Sequence, residues 1–199
     1  MGAGPLPVSD QGLFPAEHRA LRELYALTRQ LGGHWAKLDD KLDDPPEVLA
    51  RGVEVSKELL AELAERTAAY GLHGVPAATG VGVWGSWLRG AGDVFFERNQ
   101  ALRIAVLDVQ HVTTLLAYLA ALADGRSDTA LAGWLRGWES RLRRIEDDIR
   151  AAAVAEGADP ERAIQPYDGS RIGRAGHAIA LKLGTLGEAY DSRVGRRPG

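Results

Sequence analysis

Asp108 and His111 stand three residues apart in a stretch of helical periodicity, so they project towards one side of a helix. Acid-x-x-His at this spacing supplies ligands in carboxylate-bridged dimetal bundles, which need a second such pair. The chain has no second pair and no His-x-x-x-His, so no metal is assigned. Continued along the same side, the stripe reads Glu97, Gln100, Asp108, His111, Thr114 and Tyr118. Such a stripe lines a ligand pocket, forms a hydrogen-bonded seam between helices, or faces water. Trp84 and Trp87 lie upstream in a glycine-rich stretch, and exposed tryptophans of that kind mark binding surfaces. The candidate ligand-binding set is therefore Trp84, Trp87, Glu97, Asp108, His111 and Tyr118. No catalytic residue and no cofactor is assigned.

Other motifs lack the context their chemistry needs. Gly80-Val-Gly82-Val-Trp-Gly85 matches the dinucleotide fingerprint, but that turn works only between a strand and a helix, and no strand precedes it. Gly85-Ser86-Trp87 is not a nucleophile elbow, and a P-loop is absent. Asp39-Asp40-Lys-Leu-Asp43-Asp44 resembles the aspartate-rich motif of prenyl diphosphate synthases, with Glu146-Asp147-Asp148 as a second acidic cluster. The resemblance implies carboxylates holding magnesium against a diphosphate in an all-helical fold. It covers only these two patches, in a chain far shorter than those enzymes. Arg29/His34, Arg66/His73 and Arg171/His177 are similar to the Arg-x(4–6)-His pair of all-helical ribonucleases, and a chain rich in Arg produces such pairs by chance.

These residues are carried by long amphipathic segments. Pro15 starts a helix with Leu21, Leu24, Thr28, Leu31, Trp35, Leu38 and Leu42 at heptad spacing, which either continues or breaks at Gly32-Gly33. Asp44 is placed to cap the next helix, whose seam is Leu49, Val53, Ser56, Leu60, Leu63, Thr67 and Tyr70. Gly71 and Gly74 stop it, and residues 71–92 form a Gly/Trp-rich connection. From Asp93 to Ala123 one helix carries two apolar stripes. The first is Phe95, Leu102, Ala105, Val109, Val112, Leu116 and Leu119, and the second is Ile104, Leu107, Leu115 and Leu122. A helix apolar on two sides belongs in the middle of a bundle. Asp128 caps the next helix, with Leu131, Leu135, Trp138, Leu142, Ile145, Ile149 and Ala152 on its seam. Asp159-Pro160-Glu161 opens a short helix, and a last amphipathic one spans about 171–190.

The expected fold is all-α, an antiparallel four- to five-helix bundle, because no segment alternates with period two. The expected organisation is a flexible tail over 1–14, one domain over 15–193 and a basic tail over 194–199. The 199 residues contain no cysteine, which removes disulfides, thiolate metal sites and cysteine nucleophiles. A net charge of −3 points to no polyanionic partner, so nucleic acid is not expected. The apolar run Ile104 to Ala123 is interrupted by Asp108, and Asp at a bilayer centre costs ~2.5–3.5 kcal/mol, so no membrane span is expected. Met1 to Val8 resembles no signal peptide, and the expected address is cytoplasmic. With heptad seams on nearly every helix, the expected function is an interaction or assembly module, partnered by a second copy or another helical protein. The alternative is a small-molecule-binding bundle or enzyme, with a pocket between helix 93–123 and residues 71–92.

Overall fold

Pro15 opens the first helix, α1 (Pro15–Lys41), and the free amide of Phe14 donates to Glu17 Oε2 at 2.8 Å, which anchors the first turn. The computed structural model describes residues 12–68, 70–72, 96–170, 174, 175 and 178. All seven expected seam residues of α1, from Leu21 to Leu42, are buried. The helix runs unbroken through Gly32-Gly33, and tertiary contact explains the first glycine. A Cβ on Gly32 would stand 3.2 Å from Ser56 Cβ of the second helix.

That helix is α2 (Val48–Ala68). Its buried side holds Leu49, Gly52, Val55, Ser56, Leu59 and Leu63, whereas Val53 and Leu60 are only partly buried. The rotation follows from Gly52, where a Cβ would come within 2.2 Å of the fully buried Trp35 ring. Asp44 does not cap α2. It adopts φ +53° in the connecting turn and sends its carboxylate to Arg162 Nη2 at 2.9 Å, while the Pro46 carbonyl takes the Leu49 amide. Gly71 ends the element as expected, with φ +73° and its N–H on the Ala68 carbonyl. Tyr70 lies beyond the helix end, off its seam.

The remaining described elements are α3 (Arg98–Gly125), α4 (Thr129–Ala155), a 3-10 turn (Glu156–Ala158) and α5 (Pro160–Ala163). Asp128 caps α4 by accepting the Leu131 amide at 3.0 Å, and Asp159 caps α5 by accepting that of Arg162 at 3.0 Å. The seam of α4 is buried as spaced from Leu131 to Ile149, whereas Ala152 at its end is only partly buried. Around the bundle the order is α1, α2, α4, α3, with α3 and α4 the most extensively packed pair. Glu17–Arg126, His34–Asp108 and the Asp43 carbonyl–Arg98 contact run in opposite order along α1 and α3, so these two are antiparallel. Arg51–Asp148, Glu58–Arg141 and Glu62–Trp138 establish the same for α2 and α4.

The fold is an all-α bundle, and no strand occurs among the described residues; one isolated bridge joins Glu97 to Pro166. Helix α3 is long and apolar enough by composition to cross a membrane, yet more than half of its most apolar window is buried by its neighbours, as for a core helix. Its first apolar stripe is buried from Leu102 to Leu119, with Phe95 outside the described residues. The second is not: Leu115 is buried, Ile104 and Leu122 are partly buried, and Leu107 is 60% exposed. The middle position expected for this helix is thus filled on one side only. Residues 1–11, the segment 73–95, the seam expected over 171–190 and the tail 194–199 lie outside the described residues, apart from Arg174, Ala175 and Ala178. Leu13 of the expected N-terminal tail instead packs against the core, and Phe14 precedes α1.

Candidate functional site

Successive helical residues are turned by about 100°, so Asp108 and His111 point about 60° apart, and the bundle boundary passes between them. Asp108 turns inward and is buried; its Oδ2 lies 2.5 Å from His34 Nδ1 of α1. The pair bridges α1 and α3 in a largely apolar setting, and the His34 side chain keeps 16% of its surface exposed. Carboxylate on Nδ1 fixes the ring, the arrangement of an oriented imidazole. His111 turns outward, 53% exposed, with Nε2 3.9 Å from Glu23 Oε1. Thr114 is exposed and donates to the Gln110 carbonyl at 2.8 Å, and Tyr118 is 48% exposed.

Glu97 stands at the N-terminus of α3 as a capping residue. Its amide donates to Gln100 Oε1 at 3.3 Å, and its carboxylate accepts from Asn99 Nδ2 at 3.0 Å. It is about three turns from Asp108 and does not meet it. The six expected residues are therefore not assembled into one site. Asp108 pairs with a histidine absent from the set, His111 and Tyr118 share an outer face, Glu97 terminates the helix, and Trp84 and Trp87 lie outside the described residues. The expected pocket against residues 71–92 falls outside them likewise. The sequence offers His34 only within the Arg29/His34 pair, because it flanks the Leu31–Trp35 seam, where a heptad pattern assigns no role.

Three further polar groups organise the bundle. At one end Arg126, with no side-chain exposure, donates Nε to both oxygens of Glu17 at 3.2 and 3.3 Å, and Nη2 to Asp128 at 3.0 Å. Tyr70 adds its hydroxyl to Asp128 at 3.1 Å and its ring beside the guanidinium. Burial pushes the Tyr70 hydroxyl up, and the Asp128 charge adds to that. At the opposite end Arg98 Nε meets both oxygens of Glu156 at 2.9 Å, and its Nη atoms reach the carbonyls of Asp43 and Asp44 at 2.5 and 3.0 Å. A cleft of about 350 Å³ opens here, lined by Asp43, Asp44, Arg98, Asp159, Arg162 and Pro166 among others. Each nitrogen of Arg98 already has a partner in the protein, Arg162 is held by Asp44, and Asp159 caps α5.

Between α2 and α4, Glu62 Oε2 accepts the indole N–H groups of Trp134 at 2.8 Å and Trp138 at 3.0 Å. Arg66 stacks over Trp134 and Arg141 over Trp138, with guanidinium carbons 5.2 and 4.9 Å from the rings. Partial burial pushes the Glu62 carboxyl up, but the two indole donors and the Arg66 and Arg141 charges outweigh it and hold it below the ordinary value. No group of three metal-ligating side chains occurs among the described residues.

No family model, curated protein or solved structure matches this chain. The function has to be argued from the geometry.

Proposed function

We propose that this chain is a self-associating helical interaction module. The observation that carries the proposal is the outer face of α3, where Leu107 of the second stripe is 60% exposed and Tyr118 beside it 48%, on the one described helix apolar enough by composition to span a membrane. Full burial of a leucine stabilises by about 1.5–3 kcal/mol, and Leu107 at 60% exposure forgoes roughly half of that. The buried charges described above are engaged with one another inside the bundle, so among the described residues this face offers apolar surface and not a free buried charge. A cytoplasmic address and a helical partner accord with this proposal. Sedimentation velocity across a hundredfold concentration range tests it. The expected result is a reversible, concentration-dependent oligomer; a monomer at the highest concentration refutes it.

The rival is a bundle that binds a small molecule. Its support is the oriented His34–Asp108 pair and the cleft at the Arg98 end. Native mass spectrometry of protein as purified discriminates the two. A stoichiometric non-covalent mass on a monomer favours the rival, and a bare dimer favours self-association.

A further inference from the structure

We draw no further inference here: the strongest candidate, the exposed outer face of α3 around Leu107 and Tyr118, already carries the proposed self-association, and nothing in the structure shows what covers it.

Discussion

A carboxylate brought into the bundle must keep its partners, because an unpaired buried polar group costs about 1–3 kcal/mol and a charged one more. Asp108 and His34 meet that demand across the α1–α3 contact, whereas His111 stands in water one turn away. His34→Ala should therefore lower stability by about 1.5–3 kcal/mol, and His111→Ala by less than about 0.5 kcal/mol, as monitored by urea unfolding. Equal effects at the two positions would show that the boundary between them is misplaced. Glu62 obeys the same rule with two donors. Its folded pKa lies below the ordinary 4.5, so its contribution is present above that pH and lost as the pH falls through the lower folded value. Trp fluorescence should therefore begin to change below about pH 4.5, and Glu62→Gln, which cannot ionise, should remove that transition. A transition that persists in Glu62→Gln would assign it to another carboxylate.

At the scale of helices, glycine takes opposite meanings at different positions. Gly52 gives up its side chain so that Trp35 can approach the backbone of α2, whereas Gly133 and Gly137 of α4 have nothing within 4 Å of an added Cβ. Gly52→Ala should overpack the core at a cost of about 1–3 kcal/mol. Gly133→Ala and Gly137→Ala should each raise stability by up to about 1 kcal/mol through helix propensity alone, as read from thermal midpoints. Destabilisation at Gly133 or Gly137 would reveal a contact made on that face. Heptad spacing carried the seams of α1 and α4 to the right residues, because nearly every side chain on them, Thr28 excepted, is apolar and periodic. On α2 it found Leu49, Ser56, Leu63 and Thr67 but put Val53 and Leu60 where Gly52, Val55 and Leu59 are buried, because Gly52 has no side chain to count. The spacing of Asp44 read as a helix cap, but Arg98 and Arg162 reach it from more than fifty residues away and hold the turn instead. The candidate site suffered similarly, since a stripe written at i, i+3 drifts around the helix and crosses from core to solvent between Asp108 and His111.

Across the whole molecule, two buried arginines tie the ends of the bundle together, and neither pairing leaves a periodic trace. Arg126 joins Glu17 at a separation of 109 residues, so its partner is invisible until the helices are laid antiparallel. Removing that cation strands two carboxylates, each of which holds a second duty. Glu17 accepts the Phe14 amide at the start of α1, and Asp128 accepts the Leu131 amide at the start of α4. Arg126→Met should therefore cost about 3–5 kcal/mol, the range for breaking a buried ion pair from one side. Much of that cost is the uncompensated charge and not the lost attraction. Neutralising one carboxylate while keeping its acceptor oxygen should then recover part of it. In Arg126→Met/Glu17→Gln the amide oxygen can still take the Phe14 N–H, and one buried charge is gone. The double variant should be more stable than Arg126→Met alone, even though Glu17→Gln by itself is destabilising, because a network of shared partners is not additive. Urea midpoints of the four proteins measure the coupling. Strict additivity would mean that Glu17 and Arg126 do not depend on each other, and that α1 and α3 are joined at this end by apolar packing alone.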